Sequence, residues 1–179
     1  MMQGEPAFLP KCLAGYRRVV DRLSAPEAVE AISDEGTIQR WDGRFDAFET
    51  IRDDYAEELR AAQTISGLTE AVLAGQANVG GIPAAVIAWE FGFLGGSVGV
   101  ATASRVVAAI RRATEDGLPV IVVPRSGGTR MQEGAPAFIQ MVAIAAALRD
   151  HRAAGLPYLV HLCGPTAGGV LATLGSAGD

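Results

Sequence analysis

The stretch Ser126-Gly127-Gly128-Thr129-Arg130-Met131-Gln132-Glu133-Gly134 follows a short apolar run, Val120 to Val123, and precedes a helical pattern that begins near Pro136. Adjacent glycines let a backbone come close to a ligand, and the free N–H groups at a helix start offer donors to negative charge. A second unit of this kind runs from Leu159–Cys163 through Gly164-Pro165-Thr166-Ala167-Gly168-Gly169 into Val170–Leu174. A third comes earlier, where Ile82–Phe91 leads to Gly95-Gly96-Ser97-Val98-Gly99 and a helix of about four turns over Val100–Ala113. Paired N–H groups aimed at a carbonyl oxygen that becomes an enolate form an oxyanion hole, commonly worth about 3 kcal/mol per donor in the transition state. The competing reading is that each glycine pair only permits tight strand-to-helix packing; three pairs in register favour the site.

Other chemistries fit less well. The Gly-x-Gly-x-x-Gly of a dinucleotide fold and the Gly-Lys-Ser/Thr of a phosphate loop do not occur. A nucleophile elbow needs its serine between glycines, whereas Ser126 precedes them, and the only histidines are His151 and His161. His151 falls at a helix end and His161 within a strand, positions that suit structural roles.

With 179 residues, 49% of them hydrophobic, the chain has apolar material for one sizeable core and is about one domain long. Its formal charge of −5 argues against a broad nucleic-acid or anionic-membrane surface. No apolar run reaches membrane-spanning length, and Gly4, Glu5, Pro6 and Pro10 stand where a signal peptide would be apolar, so a cytoplasmic protein is expected. Cys12 and Cys163 lie far apart without a Cys-x-x-Cys pair, which suggests reduced thiols, no disulfide framework and no metal site.

The elements that must hold the glycine turns follow from the pattern. The region to Leu23, with Arg17, Arg18 and Arg22, shows no strong period. Ser24-Ala25-Pro26-Glu27 reads as a capping box opening a short helix that stops at Asp34-Glu35-Gly36, with a strand over Thr37–Trp41. Ile51–Ala62 is an amphipathic helix with Ile51, Tyr55, Leu59 and Ala62 inward and Asp53, Asp54, Glu57 and Glu58 in solvent. Ala71–Ala74 and Ile82–Trp89 form a hairpin joined by Gln76–Gly81. The helix from Val100 turns Val106, Val107 and Ile110 inward and stops at Gly117, before Pro119. The next helix, about Pro136–Arg152, is expected to bury Phe138, Met141, Val142, Ala145 and Leu148 on one face. Residues 1–70 thus read as a largely helical N-terminal extension packing on a core of residues 71–179.

Three stretches carry a family resemblance: Phe91-Gly92-Phe93-Leu94-Gly95-Gly96-Ser97-Val98-Gly99, the Ser126–Gly134 stretch, and Gly155-Leu156-Pro157-Tyr158 through Pro165-Thr166-Ala167-Gly168-Gly169-Val170. In order and spacing they resemble the carboxyltransferase component of biotin-dependent acyl-CoA carboxylases, particularly the beta-type subunit of acetyl-CoA carboxylase, over roughly Gly75–Asp179. The resemblance implies an α/β, crotonase-like (ClpP/crotonase) superhelix of stacked strand-strand-helix units that binds acyl-CoA through an oxyanion hole. It implies carboxybiotin on a separate biotin carboxyl carrier domain as donor. The carboxylate leaves biotin as carbon dioxide, the ureido nitrogen takes the alpha proton, and the thioester enolate attacks, with no protein base required.

Carried over by position, the resemblance places Gly168 and Gly169 on the pair that holds the thioester oxygen, and Gly127 and Gly128 on the other glycine turn lining the pocket. Phe93, Gly95, Gly96, Arg130 and Ala167 are expected at the substrate; Arg130 and Glu133 could instead position the loop by pairing or by serving a helix dipole. The family's four-cysteine zinc ribbon has no counterpart here, and Ser104 stands where an acid is common. The expected activity is carboxyl transfer to a short acyl-CoA, acetyl-CoA to malonyl-CoA foremost. The alternatives are a malonate-decarboxylase-like carboxyltransferase acting on a carrier-bound acyl group and a non-catalytic acyl-CoA-binding fragment. Family members continue with further strands after the equivalent of Asp179, so this chain is expected to be part of a site. A second, alpha-type carboxyltransferase half or a C-terminal half would complete it in a homo- or hetero-oligomer.

Overall fold

The computed structural model describes residues 23–41 and 53–179. The expectations placed on Cys12, Arg17, Arg18, Arg22 and Ile51 lie outside these residues.

The first helix, α1 (Ala25–Ile32), opens on the expected capping box: Glu27 N–H donates to Ser24 Oγ, and the Glu27 carboxylate accepts from Ser24 N–H at 2.7 Å. Just past its end, the Asp34 carboxylate accepts from Gly80 N–H at 3.1 Å and Gly81 N–H at 2.7 Å, tying this segment to the tip of the main hairpin. The strand expected over Thr37–Trp41 is β1 (Gln39–Arg40), an edge strand antiparallel to β2 (Val72–Val79). Between them lies α2 (Asp53–Ser66), which buries Tyr55 and Ala62 as its period requires.

The hairpin is tighter than its sequence suggests. β2 pairs with β3 (Ile82–Trp89) without a break from Val72↔Trp89 to Val79↔Ile82, so Gln76–Val79 belong to the strand rather than to the connection. The turn itself is Gly80-Gly81, with φ of 59° and 80°. Two consecutive left-handed residues match the twist of the flanking strands, which lets a two-residue turn close the pair.

β3 then pairs in parallel with β4 (Val120–Val123), and β4 with β5 (Tyr158–Val160), giving a five-stranded sheet in sequential order. The parallel crossovers are α3 (Val100–Glu115) and α4 (Ala135–Ala153). Strand alternation sorts the apolar residues onto two faces. Val72, Ala74, Ala85, Ile87, Trp89, Val120 and Val122 pack against α3 and α4. Leu73, Ala77, Val86, Ala88 and Val123 meet Ala25, Ala28 and Val29 of α1, together with the buried Cys163. A sheet covered on both faces explains why these strands read as continuous apolar runs.

Helix α3 buries Val106, Val107 and Ile110 as expected. Helix α4 follows its expected face only at Met141 and Leu148: Phe138 and Val142 are 66% and 71% exposed and Ala145 is exposed, while Ala137, Ile144, Ala147 and His151 are buried beside Met141 and Leu148. The helix is apolar nearly all round, so periodicity could not select the stripe that meets the sheet. His151 is fully buried, with Nδ1 2.8 Å from Thr114 Oγ1 and Nε2 3.2 Å from the Pro157 carbonyl, so it joins the ends of α3 and α4 to β5.

Candidate functional site

Beyond the sheet's strand ends the three glycine turns lie side by side. Val98 forms a parallel bridge with Thr129, and Ser126 one with Thr166. Val98 N–H donates to Gly128 O at 2.8 Å and Arg130 N–H to Val98 O at 2.9 Å, joining the first turn to the second. Ser126 N–H donates to Pro165 O at 2.8 Å and Ala167 N–H to Ser126 O at 2.9 Å, joining the second to the third. Each strand-turn-helix unit is thus stacked on the next by its turn as well as by its strand.

The turns differ in what they leave free. Only in the third does the glycine pair itself enter an α-helix: α5 begins at Gly168–Val170 and widens into a π-wound turn over Leu171–Gly175, whereas the first turn reaches α3 through Gly99. Gly127 N–H is spent on Gly95 O at 2.9 Å, and Gly128 N–H on Ser126 Oγ at 3.1 Å. Helix α4 begins at Ala135, close to the expected start near Pro136 and after a tight turn over Met131–Glu133, so the Gly127-Gly128 pair lies well before that helix. Gly168 and Gly169, in the first turn of α5, donate to no other described residue. Gly168 has a φ of 57°, and a Cβ there would sit 3.6 Å from Gly128 Cα, so these two turns are in direct contact. Gly127, Ala167 and Gly168 are exposed and Gly169 is half-buried, forming an open surface with two main-chain donors at its centre.

The remaining expected residues lie beneath this surface. Gly95 is half-buried and Gly96 buried, the latter against the Arg125 carbonyl. Phe93 is fully buried with Ala62 and Ala71, and the Arg130 guanidinium lies over its ring at 5.5 Å, so Phe93 packs beneath the turn. Arg130 is 1% exposed, a placement that matches the alternative expectation that it positions the loop. Its Nη2 donates to Glu70 Oε1 at 2.6 Å, Ser97 O at 2.8 Å and Thr102 Oγ1 at 3.1 Å. Its Nη1 donates to Tyr55 Oη at 3.1 Å, Glu70 Oε2 at 3.2 Å and Glu133 Oε1 at 3.3 Å. Burial would weaken this cation, but the bonds to Glu70 and its opposite charge outweigh that and hold the guanidinium firmly protonated.

Glu133 completes the cluster. Its Oε2 accepts from Val100 N–H, the first residue of α3, at 2.6 Å, and its Oε1 accepts from Tyr55 O–H at 2.5 Å. A carboxylate at a helix start offsets the partial positive charge there. Burial, reinforced by the bond to Glu133, raises the Tyr55 phenol well above its ordinary range. Tyr55 and Glu70 were not foreseen as site residues because they precede the glycine units by tens of positions; Tyr55 was placed only on the inward stripe of α2, and Glu70 lies in the bend that follows that helix. Ser97 also escaped notice although Gly95-Gly96-Ser97-Val98-Gly99 has nucleophile-elbow spacing. Its backbone is extended, φ −67° and ψ 140°, and its Oγ accepts from Arg130 Nε at 3.4 Å, with no histidine bonded to it among the described residues.

At the other end of the second turn Arg125 is buried, lies 6.0 Å over the Phe91 ring, and donates through Nη1 to Leu23 O. Glu90 Oε2 accepts from Ala25 N–H at 2.8 Å. Two buried arginines therefore bracket the Ser126–Thr129 turn, and each ties it to the N-terminal part of the chain. Among the described residues no cluster of three or more His, Cys, Asp or Glu side chains could hold a metal, and no helix is long and apolar enough to cross a membrane.

Stacked strand-strand-helix units with glycine turns aligned at one edge define a crotonase-like α/β protein. The carboxyl transferase domain family matches residues 38–175, and the chain belongs to that family. It is 49% identical over 159 residues to a probable biotin-dependent acyl-coenzyme A carboxylase beta3 subunit of Mycobacterium tuberculosis, covering 89% of this chain and 32% of that protein. It is 37% identical over 158 residues to an acetyl-coenzyme A carboxylase carboxyl transferase subunit beta of Fusobacterium nucleatum, covering 88% of this chain and 52% of that one. This chain therefore spans about a third to a half of the length of these relatives. Among solved structures, a transcarboxylase 12S with methylmalonyl-coenzyme A and methylmalonic acid bound superposes with a TM-score of 0.74 at 20% identity, covering 100% of this chain and 36% of the other. A Pseudomonas malonate decarboxylase hetero-dimer gives 0.64 at 22% identity, covering 87% and 60%. These two likenesses establish the fold.

Proposed function

We propose that this chain supplies the acyl-CoA side of a biotin-dependent carboxyltransferase, with a short acyl-CoA, acetyl-CoA foremost, as acceptor and its malonyl-type product. The observation that carries this reading is the unspent pair of N–H groups at Gly168 and Gly169, set on an open surface against the Gly128 turn. Those donors hold the thioester oxygen and stabilise it as the alpha carbon loses its proton and the oxygen gains charge. Ala167 and Gly127 form the floor beside them, where the absence of bulky side chains gives the thioester a close approach. The donor set fits carboxybiotin as co-substrate, because main-chain donors without an adjacent acid or base suit a reaction whose proton acceptor arrives with the donor. When bound, carboxybiotin supplies the carboxyl group, from a carrier that is not this chain.

The partners are a biotin carboxyl carrier domain and a second carboxyltransferase half. Met131, Phe138, Ile139 and Val142, exposed by 90%, 66%, 63% and 71%, offer the apolar surface that such a half would cover. The deciding experiment measures carboxyl transfer from a carboxybiotin analogue to acetyl-, propionyl- and longer acyl-CoAs, with and without the partner half, and to carrier-bound thioesters in parallel. Transfer to an acyl-CoA supports the reading; transfer to carrier-bound thioesters alone moves the chain to malonate-decarboxylase-like chemistry. Calorimetric binding of ATP but of no CoA ester at millimolar concentration would refute it.

A further inference from the structure

We propose that Tyr55 and Glu70 are positioning residues for the oxyanion site, acting through Arg130 and Glu133 to fix where the second glycine turn sits against the Gly168 turn. The inference rests on the carboxyltransferase reading above. Neither side chain reaches the exposed surface: Tyr55 is 6% and Glu70 4% exposed, so they touch no substrate. What they touch is the linkage between the turns.

The second turn is held from two sides. Towards the third turn it is hydrogen-bonded through Ser126 to Pro165 and Ala167, which sets the frame of Gly168 and Gly169. Towards the first it is held by Val98 N–H to Gly128 O and Arg130 N–H to Val98 O. The Arg130 side chain doubles that second linkage by donating to Ser97 O and Thr102 Oγ1, both in the first unit. Besides Ser97 Oγ and Glu133 Oε1, its donors go to Tyr55 and Glu70, which come from the N-terminal side of β2. Glu133, three residues past Arg130, is gripped by Tyr55 O–H on one oxygen and by the start of α3 on the other. One hydroxyl and one carboxylate thus fix both ends of the Arg130–Glu133 segment, the segment that leaves the second turn.

The site has no slack with which to compensate. A Cβ at Gly99 would lie 2.2 Å from Glu133 Oε1 and 2.7 Å from Arg130 Nη1, so this side of the cluster closes directly onto backbone. Removing the Tyr55 hydroxyl leaves Arg130 Nη1 and Glu133 Oε1 each without one partner in a region that excludes water. The segment then relaxes towards other partners, and the turn moves with it. Displacements of about 1 Å at a positioned donor cost up to about a hundredfold in rate.

The test uses Tyr55→Phe, which keeps the packed ring, and Glu70→Gln, which keeps the shape, in the assembled enzyme. Amide hydrogen exchange is read at Val98, Gly127, Gly128 and Arg130 against β3 and β4, and kcat and KM for the acyl-CoA are measured beside it. The expected result is exchange faster by about tenfold at the turn amides alone, kcat lower by about tenfold, and KM within about twofold. Arg149→Ala, which removes an exposed pair with Asp150, is the unaffected control. An unchanged kcat in either folded variant overturns the proposal. So does exchange that accelerates equally through β3 and β4, which would make these residues plain structural support. If the parent enzyme transfers no carboxyl group, the reaction assignment falls, and the exchange difference alone then decides the positioning.

Discussion

Gly95 and Gly96 provide a matched test of how closely the first two turns must approach. Both have left-handed backbones, with φ of 65° and 63°, so alanine at either position meets the same intrinsic penalty of about 1–2 kcal/mol. Their surroundings differ. A Cβ at Gly95 would have nothing within 4 Å, whereas one at Gly96 would lie 2.0 Å from the Arg125 carbonyl oxygen and 3.3 Å from Ser126 Cα. The obstructing atoms are backbone, which cannot rotate away, so Gly96→Ala must push the first turn from the second and strain the Gly127 N–H to Gly95 O bond. Overpacking of this kind costs about 1–3 kcal/mol beyond the backbone term. Gly95→Ala is therefore expected to destabilise by about 1 kcal/mol and Gly96→Ala by about 3 kcal/mol. Urea unfolding followed by the fluorescence of buried Trp89 measures both. Equal losses, within about 0.5 kcal/mol, would show that the turns are not in contact as described and would undo the argument that they move together.

Gly169→Val should lower carboxyl transfer by about two to three orders of magnitude in a folded protein, since the added branch meets Met141, 3.4 Å from the Cβ position, and turns a donor away. A fully active variant would falsify the oxyanion role. Arg130→Met should destabilise by about 3–5 kcal/mol, because Glu70 and Glu133 lose their buried counter-charge. Adding Glu70→Gln should recover part of that loss, and strict additivity in denaturant melts would contradict the network. Burial raises the phenols of both Tyr55 and Tyr158 above the ordinary value of about 10, so folding favours their protonated forms. Their contribution to stability is intact below that pH and is lost as pH rises through the raised values. Unfolding midpoints should fall between pH 9 and 11, with their phenolate absorbance appearing only on unfolding; a flat midpoint would refute the shift.

The glycine turns and their order were legible because glycine pairs after apolar runs have few other uses, and the ends of α3 were marked by Gly99 and Gly117. The hairpin was legible as a hairpin but not in extent: Gln76, Ala77 and Asn78 look like connection residues, and it is the ladder to Ala85, Ala84 and Pro83 that makes them strand. Burial on α4 was misread since Phe138 and Val142 are as apolar as Met141 and Ile144, and only the position of the sheet tells them apart. Least legible was the Arg130 cluster. Arg130 and Glu133 could be seen as a pair at helical spacing, but their partners Tyr55 and Glu70 lie 75 and 60 residues from Arg130, and a single sequence carries no mark of such separations.

The division of labour among the turns follows from the stacking itself. A parallel bridge between neighbouring turns consumes donors on the side facing the preceding unit: Gly127 N–H goes back to Gly95 O, and Ala167 N–H goes back to Ser126 O. Each unit therefore spends main-chain donors in fixing itself to the one before. At Gly168 the chain leaves this pattern by entering a left-handed φ of 57°, which only glycine adopts without cost, and turns directly into α5. The N–H groups of Gly168 and Gly169 then belong to a helix start, where they have no carbonyl four residues back to meet. The first two turns spend their donors on rigidity and the third leaves two unspent, so on the proposed reading a substitution in the first two is expected to act by displacement, whereas one at Gly168 or Gly169 keeps the N–H and is expected to act by changing where it points.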